Sequence, residues 1–298
     1  MPGRTGARES NTMSQPMFSL DPEVSPIHHA PIKVADETFL IQYLSGEGVA
    51  PMGVYMNTLV IRGKEPAIVD TGIEPNRERW LDDVFSLVDP EDVKWVFISH
   101  DDPDHVGNLR PVIEACPNAT IIANWFTWER MFDRVNIPLG RMRWIEDGGS
   151  FDAGDRTFHL VRPPIFDGPT TRGLYDSKTG LYWASDAFSA PVTRHTEDVG
   201  DLDPAFWTEG FSMFARAISP WHQYLDSKRY NALVDRVAVL DPKVIAMCHG
   251  PVITGSNVAR AIEMTRTLPD QGEVQLPGQA DLEAMIAAFS HGAEEIAA

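Results

Sequence analysis

Val93 to Ile98 (VKWVFI) runs directly into Ser99-His100-Asp101-Asp102-Pro103-Asp104-His105, and the fold is decided at this junction. A run apolar enough for a strand buried on both faces stops at a polar cluster. Helical spacing then resumes in Gly107 to Cys116 (GNLRPVIEAC). The order is strand, loop, helix, and the loop carries two imidazoles and three carboxylates within six residues. Five such groups at the carboxyl end of a strand repel one another or lie idle unless cations bind among them. Loop geometry can send His100 and Asp102 to one cation and Asp104 and His105 to another, with Asp101 as the outlier. The bland alternative is a charged turn with an Asp capping the next helix. The density of the cluster argues against it as a whole, though it is the favoured reading of Asp101 alone.

Two cations need further ligands from distant chain, and other strand ends are the natural places. Asp186 follows LYWAS (181–185), and His249 follows VIAMC (244–248) just before Gly250-Pro251. A single Asp after a strand is usually a turn former, and a single His before Gly-Pro is often only a loop residue. The matching positions of these two after apolar runs lift both above that reading. Asp70, in IVDTG (68–72), holds a similar place and reads as a buried carboxylate that supports a ligand.

The surrounding chain is α/β. Short β-branched runs at Thr38 to Leu44, Met56 to Ile61 and Ala67 to Val69 read as opening strands, and Pro75 to Val88 reads as an amphipathic helix. A strand at Ala119 to Ala123 precedes a Trp- and Phe-rich helix from Asn124 to about Arg134. Residues 141 to 187 (RMRWIE, TFHLV, LYWASD) have the texture of a meander. After Asp203-Pro204 come a helical stretch, the strand Val244 to Cys248 and a helix from about Ser256 to Leu268. Two blocks of strands ending in helices imply two packed sheets covered outside by helices, an αββα four-layer sandwich. The expected boundaries are a flexible leader at 1–20, one domain at 21–268 and an extension at 269–298. In that extension Leu282, Met285, Ile286 and Phe289 form an apolar stripe that docks on the body or on a second subunit of a homodimer.

With 43 acidic against 25 basic residues the chain carries a net charge of -18, which repels phosphate backbones and anionic lipid surfaces. Nucleic-acid and membrane-surface roles are disfavoured on that ground. The start of the chain lacks the apolar core of a secretory signal, and no run approaches the roughly 18 apolar residues of a membrane span. A cytoplasmic location is the expectation. Cys116 and Cys248 form no CxxC pair, which excludes a disulfide framework or an iron–sulfur centre. Cys248 reads as a buried small residue rather than a nucleophile.

The pattern resembles the metallo-β-lactamase superfamily and, within it, the oxygen-binding diiron proteins, which include the diiron domain of flavodiiron oxygen and nitric-oxide reductases. Hydrolases of the superfamily usually show His-x-His-x-Asp-His, whereas this chain shows His100-x-Asp102-x-Asp104-His105. Diiron members carry a carboxylate at the second place. The resemblance runs through IVDTG, SHDDPDHVGN, SDAF and CHGP, over about residues 35 to 265. It implies that His100 and Asp102 serve one iron, that Asp104, His105 and His249 serve the other, and that Asp186 bridges them. Carboxylate-rich ligation suits iron or manganese better than zinc.

Two departures stand out. Flavodiiron proteins place a His in a segment resembling Met-Leu-His-Trp-Pro, and here Asp167 falls at that position within Pro164 to Pro169. Asp167 either ligates as a carboxylate, leaves a position open, or marks a weak first site; His159, in the preceding strand, reads as structural. The flavodoxin-like domain of the flavodiiron reductases has no counterpart here, so the resemblance implies a separate electron-donor protein. Three functions follow: a diiron oxidoreductase acting on dioxygen or nitric oxide, a dinuclear hydrolase attacking a small-molecule substrate with Asp104 orienting a metal-activated water, and a diiron oxygen sensor. Asp104, Asp186 and the loop residue His222 are the candidates for catalysis. Trp125, Phe126, Trp128, Trp207, Phe211, Phe214, Trp221 and Tyr224 could line a pocket, although core packing accounts for most of them.

Overall fold

The computed structural model of the chain describes residues 27–48, 50–284 and 286–287. The expected leader, together with Met285 and Phe289 of the C-terminal stripe, lies outside them. In chain order the strands are β1 (Ile32–Ala35), β2 (Thr38–Ile41), β3 (Leu44–Ser45), β4 (Val54–Tyr55), β5 (Thr58–Ile61), β6 (Ala67–Val69), β7 (Trp95–Phe97), β8 (Thr120–Ala123) and β9 (Met142–Trp144), then β10 (Ser150–Asp152), β11 (Thr157–Val161), β12 (Gly173–Asp176), β13 (Leu181–Trp183), β14 (Val244–Ala246) and β15 (Ile253–Thr254). The helices are α1 (Arg77–Leu87), α2 (Pro103–Val106), α3 (Leu109–Ala115), α4 (Trp125–Met131), α5 (Pro204–Ile218), α6 (Ser227–Ala238) and α7 (Ser256–Arg266).

One sheet has the order β1-β2-β5-β6-β7-β8-β9 and the other β10-β11-β12-β13-β14-β15; β3 and β4 pair as a separate ribbon. Strand parity sorts the side chains into layers, because successive residues face opposite sides. From the first sheet Val69, Phe97 and Ile122 meet Phe158, Leu181 and Trp183 of the second, which fills the space between the sheets. The alternate residues Ile68, Val96 and Ile121 pack outward on Trp80 and Val84 of α1 and Val112 of α3. On the far side Tyr182 and Ile245 pack against Trp207 and Phe211 of α5, Tyr230 and Val234 of α6 and Ile262 of α7. The result is the αββα four-layer sandwich. Each fully buried Leu, Ile or Phe contributes about 1.5–3 kcal/mol, so all three apolar layers hold the sandwich together.

The structure corrects one expectation. RMRWIE is not part of the second-sheet meander: β9 runs parallel to β8 and forms the edge of the first sheet. Parallel pairing matters for function. The pairs β6/β7 and β13/β14 are both parallel, so the carboxyl ends of their strands open on a common rim in each sheet. Residues 279–284 and 286–287 are helical, with Leu282 49% and Ile286 55% exposed. Among the described residues no helix is long and apolar enough to cross a membrane.

Candidate metal centre

The loop after β7 is shaped by its own sequence. Pro103 occupies the first turn of α2, where its fixed φ suits a helix start and its missing N–H costs nothing. Asp102 takes the N-cap position, yet its side chain makes no cap hydrogen bond, so that carboxylate is not consumed by the helix. At the other end of α2, a Cβ on Gly107 would stand 2.6 Å from the backbone oxygen of Gly72 and the backbone nitrogen of Glu74, so only glycine lets the loop sit this close to the end of β6. Asp101 points away, accepting from Arg130 Nε at 2.6 Å and Thr170 Oγ1 at 2.8 Å.

Three imidazoles share one orientation logic. His105 Nδ1 lies 2.8 Å from Asp70 Oδ2, and His249 Nδ1 lies 2.8 Å from the carbonyl of Tyr55. Both acceptors lack a hydrogen, so each Nδ1 carries the proton and each Nε2 is left as the donor atom. His100 Nδ1 sits 3.0 Å from Ser185 Oγ, itself 3.0 Å from Ser99 Oγ, which donates to Asp70 Oδ2 at 2.7 Å. The Nε2 atoms turn towards carboxylates. His100 Nε2 is 3.6 Å from Asp102, 3.4 Å from Asp167 and 3.5 Å from Asp186 Oδ2. His105 Nε2 is 2.9 Å from Asp186 Oδ1 and 3.4 Å from Asp104, and His249 Nε2 is 3.2 Å from Asp104 and 3.4 Å from Asp186 Oδ1. The two oxygens of Asp186 therefore face two different groups of donors.

Asp70 and Ser185 hold left-handed backbone conformations, with φ of 58° and 57°. Such positions cost of order 1–3 kcal/mol for residues with a Cβ and persist only where the surroundings enforce them. Here the enforcement is visible: Asp70 accepts from the Ser99 amide at 2.7 Å, from Ser99 Oγ, and from Trp183 Nε1 at 3.0 Å.

Buried polar atoms normally find partners. Among the described residues, His100 Nε2, His105 Nε2 and Asp186 Oδ1 have none, and the 2.9 Å approach of the last two is not aligned as a hydrogen bond. Three sets of side chains bring potential ligand atoms within 4.8 Å of one another: Asp104 with His105, Cys248 and His249; His100 with His105 and Asp186; and His100 with Asp102 and Asp167.

Residues 54–250 match the family described as ODP family beta lactamase. The chain belongs to that family. It is 25% identical over 233 residues to a putative diflavin flavoprotein A 1 of Nostoc sp., covering 74% of this chain and 39% of that protein. It is 23% identical over 229 residues to a protein of Moorella thermoacetica named nitric oxide reductase, covering 75% and 55%. Among solved structures, rubredoxin oxygen:oxidoreductase from Desulfovibrio gigas superposes with a TM-score of 0.71 at 18% identity, over 82% of this chain and 62% of that one. A 1–254 fragment of a putative diflavin flavoprotein A 5 from Nostoc sp. superposes at 0.65 with 18% identity, over 83% and 98%. The ODP-family chain thus spans well under half of the diflavin relative it matches.

Electrostatics of the ODP-family centre follow from crowding. Burial pushes the imidazoles of His105 and His249 down, but the Cys248 sulfur and the Asp186 carboxylate outweigh it, and both stand well above the ordinary histidine value. Burial pushes Asp186 up, yet His249, His105 and His100 together hold it well below the usual carboxylate range. Asp167 moves the other way: burial raises it, and Asp186 and Asp102 add to the rise against the pull of His100.

Several expected residues lie elsewhere. His222 is buried, but its two ring nitrogens face the carbonyls of Ser219 at 3.0 Å and Gln271 at 3.1 Å, and it joins none of the three donor groups. Its physical role is to tie the turn after α5 to residue 271. His159 sits on β11 opposite Tyr175. Trp207 and Phe211 are core, Trp125, Phe126 and Tyr224 are exposed, and of the aromatic set Phe214 lies against the centre, its ring 5.3 Å from that of His249 and tilted by 40°. Sequence reasoning missed Ser99, Ser185 and Trp183. A signal existed for the first two, since a serine immediately precedes His100 and another immediately precedes Asp186.

Proposed function

We propose that residues 21–268 form a non-haem dinuclear iron domain that binds and reduces dioxygen or nitric oxide with electrons from a separate donor protein. The observation that carries this reading is the split of Asp186 between two donor sets, in which the histidines have their Nδ1 atoms held by other groups and their Nε2 atoms turned to the carboxylates. One set is His100, Asp102, Asp167 and Asp186 Oδ2; the other is Asp104, His105, His249 and Asp186 Oδ1. Orphaned buried nitrogens and an orphaned buried carboxylate oxygen are what a cation-binding centre leaves behind when only protein atoms are considered. Four carboxylates to three imidazoles is a hard, oxygen-rich set, which suits iron or manganese better than zinc. The names carried by the Moorella relative and the Desulfovibrio neighbour support the same direction.

When bound, two iron ions would supply redox electrons and open positions for a diatomic gas. The protein's contribution is positional. Asp186 fixes the separation of the two sets, and Asp70 and the Tyr55 carbonyl hold His105 and His249 in the tautomer that ligates. The Asp167 carboxylate, steadied by Thr171 Oγ1 at 2.9 Å, supplies an anionic donor where the resemblance implies a neutral imidazole. Reduction of either gas consumes protons, and the exposed side of the site is its source: the Asp102 side chain is 46% exposed and that of Asp167 24%, against 7% for Asp186. Phe214 covers the His249 side with an apolar ring.

Elemental analysis and a Mössbauer spectrum of anaerobically purified protein test this reading, followed by exposure of the reduced protein to each gas. Iron as the main metal, with consumption of dioxygen or nitric oxide, is expected. Zinc alone, with neither gas consumed and turnover of ester or lactone substrates, would overturn the proposal in favour of a hydrolase.

A further inference from the structure

Cys248 lies two residues beyond β14 and one before His249, and its side chain is fully buried. Its backbone is pinned on both sides: the amide donates to the Ser185 carbonyl at 2.9 Å, and its carbonyl accepts from the Asn57 amide at 2.9 Å. The side chain packs within the inter-sheet core, yet the sulfur also reaches the centre. Sγ lies 3.8 Å from Asp104 Oδ2, and it belongs to the same 4.8 Å cluster of potential ligand atoms as Asp104, His105 and His249. A second observation points to a ligand at this spot. His105 is fully buried, its Nδ1 is committed to Asp70, and its Nε2 has no hydrogen-bond partner although it faces this cluster.

Core packing alone would be served by any small apolar residue here, and it does not require a polarisable donor beside a carboxylate and two imidazoles. We propose that Cys248 is a thiolate ligand of the cation held by Asp104, His105 and His249. This rests on the dinuclear metal reading above and makes the two positions chemically unequal. The set around His100 is all nitrogen and oxygen, whereas the set around His105 adds a soft sulfur, which favours a softer or more reduced ion there. Binding forms the sulfur–metal bond and releases the S–H proton to solvent, with no change in oxidation state.

Cobalt(II) loading of the apo-protein under anaerobic conditions, followed by desalting and metal quantification, gives a readout independent of turnover. Thiolate ligation produces an intense sulfur-to-cobalt charge-transfer band in the near ultraviolet. The band is expected in the unmodified protein and in Cys116→Ala, where Cys248 is the single remaining thiol. It is expected to vanish in Cys248→Ser and Cys248→Ala. The Cys116→Ala measurement needs no folded Cys248 variant, so poor accumulation of those two variants does not remove the test. Bound cobalt without the band, or a band that survives in both Cys248 variants, overturns the thiolate assignment and leaves the metal centre standing. Failure to retain cobalt at all overturns the centre and the thiolate together.

Discussion

Asp70 accepts the Nδ1 proton of His105 at 2.8 Å, and neither side chain is exposed. One carboxylate thereby sets the tautomer of a proposed ligand while also receiving the Ser99 amide, the Ser99 hydroxyl and the Trp183 indole. Asp70→Asn keeps the shape but replaces one acceptor oxygen with a donor, which confronts either His105 and Trp183 together or the Ser99 amide with a second N–H. Metal affinity is expected to fall about 10–100-fold, as for other carboxylates that orient ligating histidines. Apo-protein stability is expected to drop by about 1–3 kcal/mol. Chelator competition and denaturant melts measure the two effects, and unchanged affinity would remove Asp70 from its supporting role.

Asp186 addresses both donor sets, so its loss should not be confined to one of them. Asp186→Asn leaves volume intact and removes the charge that His249, His105 and His100 surround. Metal content after dialysis against a mild chelator is expected to fall for both positions. Retention of one full equivalent would show that Asp186 serves a single site.

Asp167 tests the opposite case. It approaches His100 but belongs to neither donor group that contains His105. Asp167→Ala is expected to weaken the first position and spare the second, giving about half the metal of the unmodified chain. Asp167→His, which restores the residue type implied by the resemblance, is expected to recover it. Equal metal content in the unmodified chain and the alanine variant would mean that Asp167 is not a ligand.

The layers were legible because parity does the sorting: in Ala67–Val69, Trp95–Phe97 and Leu181–Trp183 every residue is apolar, and length with flanking polar loops marks them as doubly buried strands. Which sheet a strand joins is a matter of long-range pairing, and β9, three residues long and half exposed, carries no local sign of its partner. The site was legible where titratable residues follow strands. It was not legible at His222, because a loop histidine that reaches two backbone carbonyls has the same sequence neighbourhood as one that reaches a metal. Asp101 and Asp102 differ only in direction, and Arg130, which claims the first, comes from a helix 29 residues on. Ser99 and Ser185 matter through backbone placement and one hydroxyl each, and their only mark in the sequence is the position directly before His100 and Asp186.

The pairing of Asp147 with Arg236 gives a pH dependence remote from the proposed ligands. The Asp147 oxygens take both terminal nitrogens of Arg236, at 2.7 and 2.9 Å, and Oδ1 also accepts the Arg162 amide at 2.7 Å, which pins α6 to the turn after β9. Burial pushes this carboxyl up, but Arg236 and the Arg162 amide outweigh it, and it stands below the ordinary value. A depressed folded-state pKa means that the stabilisation is complete above the unfolded-state value of about 3.9 and fades as pH falls through the lower folded-state value. The Arg236 and Asp147 side chains are 37% and 26% exposed, so solvent screening limits the effect to about 0.5–1 kcal/mol. Asp147→Asn should therefore melt roughly 1–4 °C below the unmodified apo-protein at neutral pH. The gap should close as pH falls through the depressed folded-state value, because both chains are then neutral at this position. Comparing the two proteins at each pH cancels the titration of the metal centre, which they share. A gap that stayed constant down to acid would assign the loss to the changed hydrogen-bonding shape of the amide and not to charge.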